Sequence, residues 1–199
     1  MLVALSTRSQ FGIVDEKSLP AKEDCCQNPI SIYGINKMTA EYYCRLYRSA
    51  FGIKSVIIRL PQVYGPSIIE ESSHNFIEKF IKCSLSGKEF DVYGYGKDLK
   101  DVIYVEDVVS LILKAIESKS EGGIYNAGSG SKISLLEIAN KVVKICKKGK
   151  FRLCGFPKET EKFEMRSFYF DISKASKEFG WKPKIGIDEG IKRTVKSLR

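Results

Sequence analysis

The chain has 199 residues, of which 43% are hydrophobic and 29% charged, as in a globular protein of one domain or one large domain with a small one. No apolar run approaches the roughly 20 residues that a membrane-spanning helix needs, so we expect no membrane partner. The formal net charge is +9, but the lysines are interspersed with Asp and Glu, which disfavours nucleic-acid binding. A modest positive field would suit an anionic ligand such as a nucleotide diphosphate.

The cysteine pattern argues against a metal site. The six cysteines form no CxxC pair, and the single His74 is distant from all of them in sequence, so we expect no zinc. Met1–Leu5 is too short for the core of a signal peptide. Free thiols and a cytoplasmic location are therefore expected.

Hydrophobic periodicity, glycines and prolines predict the elements of the chain. In chain order these are a buried parallel strand at 2–5, a long loop at 13–32, a helix at about 35–51 closed by Gly52, a β-branched strand at 55–60, a helix at 76–86, an extended segment at 90–93, a helix at 105–117, a turn and short strand at 122–128, a capping-box helix at 134–147, and helices at 171–179 and 187–198. The succession of strand, helix and strand indicates the βαβ unit of a doubly wound sheet.

Tyr33 and Lys37 are the most informative residues of the chain. They stand four residues apart, about one helical turn, just ahead of an amphipathic run, so on a helix both side chains lie on one face. The positive charge of the lysine favours the phenolate of the tyrosine, which can then accept a proton near neutral pH.

The same spacing occurs at Tyr93 and Lys97, where Gly94 and Gly96 argue against a helix. We therefore interpret this second pair as part of a turn. The segment Gly128–Lys132 is also interpreted as a turn, because it has neither GxxxxGK[ST] spacing nor GxGxxG order.

Several motifs, in order, resemble the extended short-chain dehydrogenase/reductase family, the NAD-dependent sugar-nucleotide epimerases and dehydratases. The matching segments are Ser6–Gly12, the Tyr33-xxx-Lys37 pair, Arg59–Pro66, Lys100–Asp107 (similar to the family's RDFIYVDD), Tyr125–Gly130, and Asp171–Ala175 with Gly180–Pro183. The resemblance implies an α/β fold: the C-terminal portion of a doubly wound parallel, Rossmann-like sheet with a smaller mixed α/β substrate-binding part. It places residues 1–65 in the NAD-binding domain and residues 66–199 in the substrate-binding part, with about 101–130 returning to the Rossmann core.

The resemblance also implies roles for individual residues. Tyr33 would take the proton from a sugar hydroxyl, Lys37 would bind the nicotinamide ribose of NAD, and Thr7 would orient the hydroxyl. We choose Thr7 over Ser6 because the family hydroxyl stands five residues before the glycine, here Gly12. Read without the resemblance, Thr7 is a cap at the end of a strand. Pro61 follows the next strand and is expected to line the cofactor.

Four further residues are expected to contact the nucleotide sugar. Gln62 occupies the place of a family asparagine, Asn75 resembles a residue that contacts the diphosphate, and Lys100 stands where an arginine is usual. Lysine supplies the charge but not the two-pronged hydrogen bonding. Arg166 is a further candidate for the phosphates, although a surface role is an open alternative for it and for the other three.

Two departures from the family change what we expect of NAD binding and of the reaction. The chain begins at what resembles the fifth strand of the sheet, without the glycine-rich turn, so we expect an exposed strand edge and weak NAD binding by this polypeptide alone. A complementing N-terminal half, or a homodimer as in relatives, are the expected partners. Arg8 and Ser9 replace the Asp-Glu pair of the 4,6-dehydratases, which favours an epimerase (an isomerase, not a lyase). A reductase, a decarboxylase and a non-catalytic remnant are the alternatives.

Overall fold

The computed structural model describes residues 1–66, 75–159, 161 and 166–198. The helices of these residues are α1 (Ile32–Phe51), α2 (Phe76–Leu85), α3 (Val105–Glu117), α4 (Leu135–Cys146), α5 (Ser173–Phe179) and α6 (Ile187–Ser197). The strands are β1 (Leu2–Thr7), β2 (Ser55–Leu60), β3 (Gln62–Tyr64), β4 (Glu89–Val92), β5 (Leu99–Lys100), β6 (Val102–Tyr104), β7 (Gly123–Asn126), β8 (Ile133–Ser134) and β9 (Lys150–Leu153). In this part of the chain no helix is both long and apolar enough to cross a membrane.

The main sheet consists of three parallel strands in the order β1-β2-β7. Leu2 is opposite Ser55 and Thr7 is opposite Leu60, so β1 and β2 end at the same edge. Three smaller pairs complete the described strands: β3 with β6 and β4 with β9, both parallel, and β5 with β8, antiparallel. The predicted βαβ unit, formed by β1, α1 and β2, is confirmed.

Strand β2 is buried on both faces, since Ser55–Arg59 are all inaccessible. Its side chains alternate between the two faces, as the pleat of a strand requires. Val56 and Ile58 belong to an apolar cluster that includes α3, α5 and Trp181. The opposite face meets α1, where Ser55 donates to the Cys44 carbonyl and Arg59 reaches Glu41. Helices on both sides explain why this strand is uniformly apolar apart from its ends.

Strand β1 differs from the buried strand that the sequence predicts. The strand itself and its parallel pairing are confirmed, but Leu2 is 48% exposed and Leu5 is 42% exposed. The reason is its place at the edge of the sheet, where only β2 is paired with it among the described strands. Among the described strands, the apolar edge of β1 is exposed, as expected.

Helix α1 begins at Ile32, three residues before the predicted start. The Ser31 side chain accepts a hydrogen bond from the Gly34 backbone at 3.1 Å and so caps the helix. The helix ends as predicted at Gly52, which adopts the left-handed conformation with φ +66° and donates its N–H to the Arg48 carbonyl.

The other helices follow the predicted pattern with small shifts at their ends. Helix α3 has the predicted bounds, and the Ser134–Glu137 capping box of α4 is present in both directions. Helix α5 begins at Ser173, two residues late, because Asp171 caps the preceding turn by accepting from the Ser173 N–H. Strands β3, β5, β6, β8 and β9 were not predicted. Around Tyr93–Gly96 the chain forms a short turn with left-handed residues, so the interpretation of Tyr93 and Lys97 is confirmed.

A buried ion pair joins α1 to β2. The Arg59 guanidinium donates from Nε and from a terminal nitrogen to the Glu41 carboxylate, at 3.0 and 2.7 Å, and both residues are at most 4% exposed. Arg59 also donates to the Glu23 backbone carbonyl at 2.8 Å. Burial alone would raise the pKa of Glu41, but hydrogen bonds with Arg59, Ser6 and Gln10 and the charge of Arg59 together hold the pKa below its ordinary value.

Two aspartates connect the 100–107 segment to the later part of the chain. Asp101 accepts from the backbone and hydroxyl of Ser129, at 2.8 and 2.9 Å, and from the Phe170 N–H at 3.2 Å. Asp107 accepts from the Lys184 and Ile185 N–H groups, both at 2.9 Å. Burial raises the pKa of Asp101 to about 6, although these hydrogen bonds oppose the rise.

We expect Glu41→Gln to lower the free energy of unfolding by about 3–5 kcal/mol, because Arg59 then keeps a buried charge without a counter-charge. The stabilising contribution of Glu41 should be present above its ordinary pKa and be lost as the pH falls through its lower folded pKa. The matched control is Glu121→Gln, which removes the exposed pair of Glu121 with Lys54 and should cost no more than about 1 kcal/mol. Equal losses in urea denaturation would contradict this role of the buried pair.

A second prediction concerns Asp101. Because its pKa is raised in the folded state, its contribution to stability is greatest below its unfolded pKa of 3.8 and is lost as the pH rises through about 6. Urea denaturation from about pH 4 to pH 7 should show the unmutated protein losing roughly 1–3 kcal/mol relative to Asp101→Asn. A pH-independent difference would refute the assignment. Replacing the exposed Asp188, the partner of Lys141, by Asn should change stability by at most about 1 kcal/mol across this range.

Candidate active site at the end of strand β1

Thr7 is the last residue of β1 and is almost completely buried. Its hydroxyl oxygen accepts a hydrogen bond from the Ser9 N–H at 3.2 Å and lies 3.3 Å from the Ser9 hydroxyl. Thr7 therefore caps the short turn Arg8–Gln10, as the reading without the resemblance predicts. The hydroxyl stands at the carboxyl end of the sheet, the usual place for ligands in open α/β folds.

Tyr33 and Lys37 lie in the first two turns of α1. The Lys37 ammonium is 5.9 Å from the centre of the Tyr33 ring, so the predicted proximity of the two side chains is present. Lys37 also donates a hydrogen bond to the Leu5 backbone carbonyl at 3.0 Å. The Tyr33 side chain is 56% exposed, which leaves its phenol accessible to a ligand. Lys37 thus contacts β1 at Leu5, two residues before Thr7.

The beginning of α1 packs directly on the segment that follows Thr7. A side chain at Gly34 would collide with the Ser9 backbone carbonyl and would crowd Pro29. Only glycine allows this approach, which places the turn after Thr7 against the turn of α1 that carries Tyr33. The three residues predicted to be catalytic are therefore on neighbouring segments at one edge of the sheet.

Pro61 and Gln62 follow β2 at the same edge, since Leu60 is in register with Thr7. Pro61 is buried, and Gln62 donates its backbone N–H to the Asp101 carbonyl at 3.2 Å while its side chain is half-buried. Asn75 lies nearby: its amide donates to the Val63 carbonyl at 2.7 Å. Its carbonyl oxygen caps α2 by accepting from Ile77, so Asn75 has a structural role.

Lys100 and Arg166 lie together. The Lys100 ammonium donates to the Arg166 backbone carbonyl at 3.4 Å and is 3.7 Å from the Asp98 carboxylate. The Arg166 guanidinium is partly exposed, 3.2 Å from Glu161 and 4.7 Å from the centre of the Phe156 ring. Strand pairing places Gln62 opposite Val102, so β3 brings Gln62 to the segment that holds Lys100. Gln62 and Lys100 therefore lie near the carboxyl edge of the sheet.

The sequence did not predict the roles of the residues whose buried contacts stabilise the carboxyl edge of the sheet. Glu41 follows Lys37 by four residues on the same helical face, but that spacing gives no sign that its carboxylate is buried. Arg59 stands out as the charged residue of a β-branched strand. Asp101 and Asp107 belong to the quoted motif, but their backbone partners are remote in sequence.

Among the described residues, no group of three or more His, Cys, Asp or Glu side chains is placed to hold a metal ion. His74 lies outside the described residues.

Known proteins resemble this chain over nearly its whole length. A UDP-glucose 4-epimerase from Mycolicibacterium smegmatis is 28% identical over 185 residues, covering 90% of this chain and 56% of that protein. The structure of a UDP-glucose 4-epimerase from Thermotoga maritima with UDP-glucose matches with a TM-score of 0.89 and 28% identity, covering 99% of this chain and 62% of that one. A UDP-glucose 4-epimerase from Thermus thermophilus in complex with NAD matches with a TM-score of 0.87 and 28% identity.

The last match covers 100% of this chain and 63% of the Thermus chain, so the 199 residues span about three fifths of the proteins they resemble. The predicted α/β, Rossmann-like fold is confirmed by these structures and by the parallel sheet. NAD, as the family cofactor, is confirmed as well. The model of the NAD dependent epimerase/dehydratase family matches residues 1–128, and the chain therefore belongs to that family.

Proposed function

We propose that the chain carries the catalytic residues of an NAD-dependent nucleotide-sugar epimerase of the UDP-glucose 4-epimerase type. The observation that carries the proposal is the position of the Lys37 ammonium, 3.0 Å from the Leu5 carbonyl and 5.9 Å from the accessible Tyr33 ring, beside the segment of Thr7. The names of the M. smegmatis, T. maritima and T. thermophilus relatives support the same reaction class.

The residues present fit the nicotinamide end of NAD. An ammonium and an accessible phenol on one helical face can hydrogen-bond a ribose and a substrate hydroxyl side by side. NAD, when bound, supplies the hydride acceptor for a sugar carbon. With NAD in place, the Tyr33 oxygen would take the proton of the adjacent sugar hydroxyl and return it later, Lys37 would hold the ribose, and Thr7 would orient the same hydroxyl.

Epimerisation is favoured over dehydration by the two residues after Thr7. A dehydratase needs acid and base groups beside the sugar, whereas Arg8 and Ser9 supply no carboxylate there. Gln62, Asn75, Lys100 and Arg166 are proposed to contact the nucleotide-diphosphate sugar, and the positive charges of Lys100 and Arg166 suit its phosphates. A reductase or a decarboxylase of the same family is the alternative.

We infer that residues 1–65 belong to the NAD-binding domain and residues 66–199 to the substrate-binding part, with about 101–130 returning to the core. The pairing of β7 with β2 supports the return. A second apolar cluster, built mainly from α2, α4, α6 and β4, supports a substrate part that packs on the core through Tyr64, Val102 and Tyr104. Exposed apolar and aromatic residues on α1, such as Leu46 and Tyr47, support pairing of two chains. Six free cysteines are compatible with a cytoplasmic location.

The reaction can be tested by co-expressing the chain with the N-terminal dinucleotide-binding segment of a relative and assaying a panel of UDP-, GDP-, CDP- and dTDP-sugars. We expect epimerase turnover that Tyr33→Phe lowers by roughly 10²–10⁴-fold, because the proton acceptor is lost. Tyr43→Phe is the matched control, since Tyr43 is similarly exposed on the same helix, and its turnover should stay unchanged. Full activity in the Tyr33 variant would eliminate the proposed role. Net reduction or loss of CO₂ in place of epimerisation would favour the alternatives.

Cofactor affinity tests a separate part of the proposal. The 199 residues contain neither GxGxxG nor GxxGxxG, the turns that hold a pyrophosphate, so most of the binding energy for NAD should be lacking. Isothermal titration calorimetry of this polypeptide alone should give a Kd above about 1 mM, that is, less than about 4 kcal/mol of binding free energy. The co-expressed pair of segments should bind NAD much more tightly. A micromolar Kd for the 199 residues alone would refute the prediction.

A further inference from the structure

Two adjacent cysteines lie on the wall of a cavity that the proposed active site does not use. The cavity has a volume of about 670 Å³ and lies within the segment between β1 and α1. Cys25 and Cys26 line it together with apolar side chains, among them Phe11, Val14 and Leu19. None of the residues assigned above to catalysis, cofactor or substrate lines it.

The thiols differ in their surroundings. Cys26 is exposed, whereas Cys25 is partly buried and packs against the apolar cluster of Phe11 and Phe168. Burial, with the neighbouring Cys26 and Asp24 charges, raises the pKa of the Cys25 thiol. Cys25 therefore stays protonated at neutral pH and is a poor nucleophile for redox exchange.

The backbone that carries the pair is held in place. The Cys25 N–H donates to the Lys22 carbonyl at 3.1 Å, and the Glu23 carbonyl accepts from the buried Arg59 at 2.8 Å. The Glu23 carboxylate accepts from the Asn126 N–H at 2.8 Å, and the Ala21 N–H donates to the Tyr169 carbonyl at 2.9 Å. Because the segment is already ordered, a ligand that bridges both thiols loses little conformational entropy on binding.

We propose that Cys25 and Cys26 form a dithiol site that binds one monosubstituted trivalent arsenical, with the organic substituent in the cavity. Soft sulfur ligands suit a soft acceptor, and a trivalent arsenic atom with one carbon substituent has two positions for sulfur, which matches two neighbouring thiols. The other four cysteines are isolated in sequence, so Cys25 and Cys26 are the one adjacent pair of the chain. The apolar part of the lining suits an aryl substituent.

The binding step is a condensation and needs no oxidant. With phenylarsine oxide, two S–As bonds form, the two S–H bonds and the arsenic–oxygen bond break, and both protons leave with the oxygen as one water molecule. Arsenic remains trivalent throughout.

The test uses the full 199-residue chain, reduced with a phosphine and exposed to phenylarsine oxide without denaturant. Intact-mass spectrometry should show one phenylarsenic group per chain, and peptide mapping should place it on the segment containing Cys25 and Cys26. Cys25→Ser and Cys26→Ser should each weaken binding by at least about 100-fold, because the second attachment is lost. Cys154→Ser is the matched control and should bind as the unmutated chain does.

Reversal of the adduct gives a readout that does not depend on the variants folding. 1,2-Ethanedithiol should remove the arsenical at concentrations at which 2-mercaptoethanol does not, since only the dithiol competes with a chelate. Absence of uptake by the native chain, an adduct mapped to other cysteines, or equal reversal by both thiols would overturn the proposal.

Discussion

The buried pair of Arg59 and Glu41 determines how α1 lies on the sheet. Arg59 projects from a strand that is covered on both faces, and a guanidinium at that depth is stable only when a carboxylate meets it in a matching geometry. Glu41 supplies that carboxylate from α1, so the helix cannot rotate or slide without separating the two charges. Two contacts nearer the start of α1 depend on this placement. Lys37 contacts Leu5 one turn before Glu41, and Gly34 contacts Ser9 two turns before it. The geometry of the candidate site therefore follows from an interaction that is not itself in the site.

The 100–107 segment has a comparable effect on the second half of the chain. Asp101 and Asp107 each accept hydrogen bonds from backbone N–H groups of segments far along the sequence. The Trp181 indole adds a hydrogen bond to the Asp107 carbonyl at 3.2 Å. Because most of the donors belong to the main chain, these contacts constrain the path of the later segments more than their side chains. The motifs that are separate in sequence thereby meet around β5 and β6, next to the edge that holds Gln62.

The parts of the fold that the sequence predicts well are those with local causes. Helix α3 has the predicted bounds because its apolar positions repeat at the helical period. Strand β2 has the predicted bounds because its β-branched residues favour a strand and Pro61 ends it. The start of α1 was placed three residues too late, and the close contact of Gly34 with Ser9, which fixes this first turn, cannot be read from the sequence. Strand β9 was missed since it exists through pairing with β4, about 60 residues away. In the site, the spacing of Tyr33 and Lys37 in the sequence predicted that they lie close together. The role of Thr7 was predicted from the family resemblance. The Arg59–Glu41 pair depends on packing and could not be predicted.

The acceptor that Lys37 uses is a peptide carbonyl, and this has an evolutionary consequence. Replacement of the side chain at position 5 leaves that oxygen in place, so the anchor of the ammonium tolerates neutral drift along the strand. Substitutions in β1 can therefore leave the Lys37 ammonium in place, whereas they would abolish a contact made between two side chains. Divergent homologues with different residues at this strand position would then share the same orientation of the amine.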